Sequence, residues 1–573
     1  MEEFDPRDYF ENPGSPRQKQ YDALRMYYIE GISQEEAAAR AGYSINTFRS
    51  LVRDFKAMKI DFFPVLKKGP KERRTPCAVA ERIVTLRKEN RSIYDIRDIL
   101  EDAGTPVSIQ TIDRIVRDEG FTKLPRRTVH ERGITKRNTL LPEKSQQLDF
   151  KPDRFDCQVA GIYYFIPYMI QMGLDELVKD GSFPETSQIS KLNSVFSILT
   201  LKLIGQERLS HIDNFNFDRG FGFFAGLNVL PKPSTISTYS YGIDKQSVNA
   251  FMHNFVTMIK ALDGDYYGGE TINLDFHVIP HFGEGLEKNW ISTRNKQMTS
   301  ALTFLAQDGE SKMLNYANAD IKRKDAPEEI LRFVDHWLGI KGIVDQTLVF
   351  DSKLTTYPVL EQLDKDGVKF LTLRRRGEKL IKDALSTPDG WTSVKLDIPK
   401  RKYNRFKAYE HKIRLPRTDL WVTEIIIKDH GREEPTFVIT NNFEWDITTV
   451  VTYYARRWRI ENTISDLVDF FSLNSLSSPV TIRIYFDVLL TMVGAILYKL
   501  LAQDLKGYEQ CTSKELFSKF INTPGKVVVE EDTVTVKMKK KASTPVLKSN
   551  EMFRQPWGVP WWDNKVLKFE WIS

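Results

Sequence analysis

The sequence predicts a multidomain chain: an all-α N-terminal quarter, then an α/β region into which a β-rich stretch is inserted. Three observations carry this expectation. A chain of 573 residues is too long for a single hydrophobic core. Helix-period apolar positions behind Ser caps fill residues 17–117. From Thr271 the texture changes to short apolar strands that alternate with helices.

In the N-terminal quarter, residues 17–57 read as a helix-turn-helix unit. A first helix, Arg17–Ile29, ends at Gly31. Ser33 and Glu36 form a capping box that starts a second, whose Ala37, Ala38 and Ala39 permit close packing. Ala41-Gly42-Tyr43 turns the chain, and Ser44 caps a third helix with Phe48, Leu51, Val52 and Phe55 on its apolar face. Its other face presents Asn46, Thr47, Arg49 and Arg53, side chains suited to base edges and phosphates in a DNA major groove. A second unit follows: helices Ala78–Glu89 and Ser92–Asp102, then one capped by Ser108. There Ile109, Ile112 and Val116 face inward and Gln110, Thr111, Arg114 and Arg117 outward. Lys71, Arg73 and Arg74 lie in the basic Gly-Pro linker between the units. Two readers joined in this way resemble the paired-type bipartite domains of many transposases; a plain helical bundle with a solvated charge run is the alternative.

Charge agrees with contact to nucleic acid. Residues 17–137 hold 26 Lys and Arg against 17 Asp and Glu, so the basic excess lies in this quarter of a chain whose net charge is +6. Elsewhere composition excludes more than it assigns. The apolar stretch Val488–Tyr498 is too short to span a bilayer, so no membrane is expected. The acidic start MEEFDPRDYF lacks the apolar core of a secretory signal. Cys77, Cys157 and Cys511 are too scattered for a disulfide framework or zinc knuckle. A cytoplasmic, nucleoid-associated protein is expected.

In the α/β region, Thr271–Phe276, Met298–Gln307 and Lys312–Tyr316 read as strands and Asp325–Leu338 as a helix. Thr347–Phe350 is a buried strand, and a helix with Pro358 in its first turn leads to the strand Lys369–Arg374. Three strands, helix, strand, helix, strand is the order of an RNase H-like domain. Strand-like runs at 391–398, 403–409, 420–428 and 436–440 interrupt it. The expected division is 1–66 helix-turn-helix, 67–137 basic linker plus second helix-turn-helix, and 138–265 helical. RNase H-like catalytic segments follow at 266–376 and 446–510, separated by the β-rich insertion 377–445, with a strand-rich tail at 511–573.

Three acids stand out. Asp275 ends the strand Thr271–Phe276 and Asp351 ends Thr347–Phe350, where a carboxylate can hold a cation at the sheet edge or simply shape a turn. On a helix Asp446–Phe471, a stripe at 3.6 residues per turn collects Val450, Tyr454, Arg457, Glu461 and Val468. A half-buried Glu461 there needs a cation, either Arg457 one turn away or a metal ion.

Tyr454-x2-Arg457-x3-Glu461 resembles the first three positions of the Y-x2-R-x3-E-x6-K signature of a large group of DDE-type insertion-sequence transposases, which also carry a β-rich insertion before the Glu. The resemblance covers about residues 140–505. It implies a DNA transposase that binds element ends and catalyses strand cleavage and transfer on double-stranded DNA, as a homodimer in the DNA complex. It also implies two Mg²⁺ ions, with Mn²⁺ as substitute, on Asp275, Asp351 and Glu461, and catalytic roles for Arg457 and Tyr454. The sequence departs at the signature Lys, which is Val468; Arg456, Arg459 or Lys353 are the candidates to replace it. His277 is either a neighbour of that site or an ordinary structural histidine. The alternatives are a transposase-derived DNA-binding regulator that no longer cuts, and an RNase H-fold nuclease or integrase.

Overall fold

The computed structural model describes residues 15–62, 75–89, 91–119, 121, 124, 148 and 150–572, except 216, 281–286, 292–295, 353–355, 387–389, 397–404, 432–433 and 476–480. The linker residues Lys71, Arg73 and Arg74 lie outside the described residues. Two compact units are present, residues 1–77 and 78–573.

The first unit holds helices Pro16–Tyr28, Gln34–Arg40 and Ile45–Lys56. Ala23, Leu24, Ala37, Ala38, Phe48, Leu51 and Val52 form its core. Small residues on two helices and large ones on the third let the axes approach without leaving a void. The Ser33 hydroxyl accepts from the Glu36 N–H at 3.2 Å, but the Glu36 carboxylate turns outward to Arg40 at 2.6 Å, so the expected box is only half made. Phe55, expected inside, is 38% exposed and packs its ring against Tyr28 and Phe62.

The second unit begins with helices Cys77–Lys88, Ile93–Asp102 and Ile109–Asp118 around Ile83, Leu86, Ile96, Leu100, Ile112, Ile115 and Val116. Here the capping box is complete, between Ser92 and Asp95. Two ion pairs tie these helices to the sheet that follows: Lys88 to Asp320 at 2.5 Å, and Glu119 to Lys322 at 2.8 Å. Asp320 is buried and also meets Lys245 at 2.6 Å.

A short strand, β1 (Asp153–Cys157), precedes the main sheet. That sheet contains β2 (Thr271–Pro280), β3 (Lys288–Ile291), β4 (Lys296–Asp308), β5 (Leu314–Ile321), β6 (Thr347–Val349) and β7 (Phe370–Leu373). β2 pairs antiparallel with β4, and β4 with β5; on its other side β2 pairs parallel with β6, and β6 with β7. β8 (Thr392–Lys395), β9 (Arg405–Arg414), β10 (Trp421–Lys428) and β11 (Thr436–Thr440) come from the stretch read as an insertion. They extend the same sheet, because β11 pairs antiparallel with β7. The architecture is thus a helical N-terminal region followed by a β-rich domain.

Helix Thr481–Asp504 passes through the core against β5 and helix Lys191–Leu203. Among the described residues, Ile482–Asp504 is the one helical stretch long and apolar enough to cross a membrane, and 83% of its apolar window is buried within the fold. Strands β12 (Gly525–Val529), β13 (Thr533–Lys539), β14 (Trp557–Gly558) and β15 (Val566–Ile572) form a second sheet in the order β1-β12-β13-β15-β14. The C-terminal stretch is therefore knitted to Asp153–Cys157. Trp562 is fully buried, with its indole N–H on the Phe223 carbonyl at 2.8 Å.

Candidate active site

Asp275 lies in the middle of β2, not at its end as the sequence suggested, because β2 stays paired with β4 as far as Pro280. Alternation places Asn273, Asp275 and His277 on one face. Opposite them on β4 stand Gln307, Leu305 and Thr303. Asp351 lies two residues beyond β6, and its Oδ1 accepts from the Ser352 N–H at 2.6 Å.

Glu461 comes from a helix that differs from the expected one. The expected continuous helix is broken at Arg457 into Ile447–Arg456 and Trp458–Asp469. The Arg457 N–H bonds three residues back, to the Tyr454 carbonyl at 3.2 Å, which tightens the chain there. The stripe of five residues is therefore not one helical face. Tyr454, Arg457 and Glu461 still gather at the break, with the guanidinium over the Tyr454 ring at 5.9 Å.

Arg457 organises the acids. One of its terminal nitrogens donates to Asp275 Oδ2 at 3.1 Å and the other to Glu461 Oε1 at 2.5 Å. Arg457 and Asp275 are 13% and 16% exposed, whereas Glu461 is 53% exposed. A planar guanidinium is shaped for such two-sided bridging, and a lysine is not. Burial pushes the Asp275 carboxyl above the ordinary Asp range, the Arg457 charge and the Phe276 N–H pull it back, and the Glu461 and Asp351 charges push it up again. Burial works against the Arg457 charge, but Asp275, Tyr454, Glu461 and Asp351 together hold the guanidinium firmly protonated. Burial likewise raises the Tyr454 hydroxyl well above its usual range. Arg457 thus bridges Asp275 and Glu461 directly, and the Asp351 charge acts on Asp275 and Arg457 through space. Among the described residues, no three His, Cys, Asp or Glu side chains close into a ready cation cage.

Residues 270–492 match the protein family described as "Transposase DDE domain". The chain carries a transposase DDE domain. Such domains are polynucleotidyl transferases and use divalent metal ions. Comparison with curated proteins returned no match. Among solved structures, the chain is similar to a piggyBac transposase synaptic complex with hairpin DNA at 11% identity, over 64% of this chain and 82% of that one, with a TM-score of 0.34. It is also similar to a Mos1 transposase paired-end complex with left transposon end, at 9% identity over 62% and 76% of the two chains, with a TM-score of 0.13. Scores this low establish no shared fold.

The other candidate residues of the transposase can now be placed. Val468 packs partly buried against the main core. Arg456 and Arg459 both approach Glu310 at 3.6 Å, and Arg459 also donates to the Gly309 carbonyl, so both face the β4–β5 turn. Lys353 lies outside the described residues. His277 shares a 2.7 Å hydrogen bond with Asn474, and burial lowers its pKa, which favours the neutral ring. In the helical units Asn46, Arg49, Arg53, Gln110, Arg114 and Arg117 are exposed, as is Thr47, whereas Thr111 is half-buried. Arg49 and Arg117 meet Glu35 at 3.1 Å and Asp113 at 2.6 Å, exposed pairs that a phosphate can replace at little cost.

Sequence reasoning passed over two lysines beside the helix Trp458–Asp469. Lys312 and Lys499 line a cavity of about 580 Å³ with Arg459 and Trp458. Lys312 donates to the Gln510 side-chain oxygen at 2.7 Å and Lys499 to the Glu509 carbonyl at 3.2 Å. Burial, together with the Lys312 charge, brings Lys499 down to about 8. Lys499 directly follows the apolar run Val488–Tyr498, which was the available signal.

Proposed function

We propose that this transposase binds element-end DNA through its N-terminal helical units and cleaves and transfers strands at a site built from Asp275, Asp351 and Glu461. The observation that carries the proposal is the Arg457 bridge, 3.1 Å to Asp275 and 2.5 Å to Glu461, inside residues 270–492, with Asp351 just beyond β6, the strand paired with β2. The alternation of β5-β4-β2 antiparallel with β2-β6-β7 parallel supports an RNase H-like reading of the catalytic core. The two three-helix units support a helix-turn-helix reading of the N-terminal quarter.

The donor set fits divalent metal. All three candidate ligands offer carboxylate oxygens, which suit Mg²⁺ and its substitute Mn²⁺. The Arg457 guanidinium already holds a positive charge against two of them. Asp275, Asp351 and Glu461 would hold the pair of ions. When bound, two such ions supply activation of the attacking oxygen and charge neutralisation at the leaving oxygen of a phosphodiester.

The chain's own residues position the rest. β2 fixes Asp275 on a rigid strand, and the helix break lets Arg457 reach both Asp275 and Glu461. With its acids engaged elsewhere, the fork of Arg457 is free to clamp a DNA phosphate in a fixed orientation. Tyr454 stays a neutral hydroxyl at working pH and can donate to a phosphate oxygen. A non-cutting regulator gains nothing from keeping three coupled acids, so the enzymatic reading is favoured.

The test is isosteric neutralisation. Asp275→Asn, Asp351→Asn and Glu461→Gln should each lower Mg²⁺-dependent strand cleavage by roughly 10³-fold while DNA binding persists. A variant that cuts at near wild-type rate removes its residue from the site.

A further inference from the structure

The two helical units are more alike than two generic helix-turn-helix readers need be. Ser44-Ile45-Asn46-Thr47 at the start of one third helix recurs as Ser108-Ile109-Gln110-Thr111 at the start of the other, and Val52-Arg53-Asp54 recurs as Val116-Arg117-Asp118 at the same offset.

The structures agree in detail. In each unit the Ser hydroxyl caps the helix, accepting from the Thr N–H at 3.2 Å in one and 3.3 Å in the other. The Thr hydroxyl meets that Ser hydroxyl at 2.8 and 3.0 Å. Phe48, Leu51 and Val52 are buried in one; Ile112, Ile115 and Val116 take the same places in the other. The preceding helix ends in the same way in each unit: Gly42 and Gly104 have φ of +65° and +72°, and the next N–H returns to the Ala38 or Leu100 carbonyl. A side chain with a Cβ is strained at that backbone conformation, so glycine ends both second helices, although the link to the third helix is two residues longer in the second unit.

Equivalent backbones carry equivalent side chains at the position nearest DNA. Asn46 and Gln110 are both exposed in the first turn, where a recognition helix meets base edges. Each ends in the same carboxamide, which pairs in bidentate fashion with the N6 and N7 of adenine. Arg53 and Arg117 are exposed at the same place two turns on, suited to phosphate. The units diverge between: Arg49 matches Asp113, and Ser50 matches Arg114.

We infer that the two units read related DNA sub-sites, each with an adenine at the same position relative to its helix, so that the bound DNA carries two diverged copies of one short motif. Asn46 and Gln110 set the shared base; Arg49 and Arg114 set the differing neighbours. The inference rests on the DNA-binding reading of the N-terminal quarter.

The test is selection of binding sequences from a random duplex library by the full chain, followed by competition binding of single-base variants. Two related copies with adenine at corresponding positions are expected. Asn46→Ala should abolish preference for adenine in one copy only, and Gln110→Ala in the other only, each by on the order of tenfold or more. Asn46→Gln and Gln110→Asn, which keep the carboxamide, should retain the adenine preference. Both residues are exposed, and circular dichroism of each variant checks that the helices persist. An enriched sequence with two unrelated halves, or alanine variants that weaken all sequences equally, overturns the inference and leaves DNA binding intact. Failure to enrich any sequence overturns both.

Discussion

Removing the Arg457 charge should make stability depend steeply on pH. In Arg457→Gln, Asp275 keeps its buried place but loses the cation at 3.1 Å. If the carboxylate stays charged and unpaired, the cost is about 3–5 kcal/mol. If it takes a proton instead, a group whose unfolded pKa is about 3.9 costs about 4 kcal/mol to protonate at pH 7. Both routes converge on a loss of about 3–4 kcal/mol at pH 7. Glu461 is half exposed and contributes nothing to this sum. The sign follows from the direction of the shift: burial raises the Asp275 pKa in the folded state above its unfolded value. The stability is therefore retained below the unfolded value and lost as pH rises towards the folded one. The same protonation costs about 1.5 kcal/mol at pH 5, so the deficit against wild type should more than halve there. Urea unfolding of both proteins at pH 5 and pH 7, followed by tryptophan fluorescence, measures it. Saturating Mg²⁺ at pH 7 should narrow the gap by replacing the missing charge. Equal deficits at the two pH values, or none at pH 7, would refute the reasoning.

Other perturbations follow from the same geometry. Arg457→Lys keeps the charge but not the fork, and should lower cleavage by at least tenfold with a smaller effect on unfolding than Arg457→Gln; normal cleavage would reduce Arg457 to a structural pair. Lys499, brought to about 8 from 10.5, destabilises the folded state at neutral pH, and its penalty is relieved as pH rises from 8 to 10.5. Lys499→Met should therefore raise stability by up to about 3 kcal/mol at pH 7 and by little at pH 10, read by the same urea titration. In the full chain, Arg53→Ala and Arg117→Ala should each reduce the slope of log K against log salt by about 1 in a DNA-binding titration; an unchanged slope would place that arginine away from phosphate.

What the sequence disclosed was local. Ser44 and Ser108 announced their helices because a Ser hydroxyl satisfies a free N–H within three residues. The runs around Leu348 and Leu371 announced strands because both faces are buried. The i, i+4 half of the Arg457 bridge was legible, but its other half crosses 182 positions to Asp275 and has no local signature. The break at Arg457 escaped notice because neither Gly nor Pro marks it. β1 escaped because Asp153-Arg154-Phe155-Asp156-Cys157 lacks a strand's apolar alternation; its form comes from pairing with β12. The length of β2 was underestimated because Asp275 reads as a terminus when its partner β4 is unseen.

That pairing sets an order of events during synthesis. Cys157 is opposite Gly525, so β1 leaves the ribosome roughly 370 residues before its partner exists. Through that interval β1 is an unpaired edge, kept from spurious association by its own charges, Asp153, Arg154 and Asp156. The three-helix cores at the N-terminus are built from local contacts and can form early, although Lys88 and Glu119 wait for Asp320 and Lys322. A stop codon before Val566 removes β15, the strand that joins β13 to β14, so a truncated product would carry completed helical units on an unfinished body. If the helical units hold element ends as proposed, such a product would occupy DNA without cutting it and would compete with the intact chain.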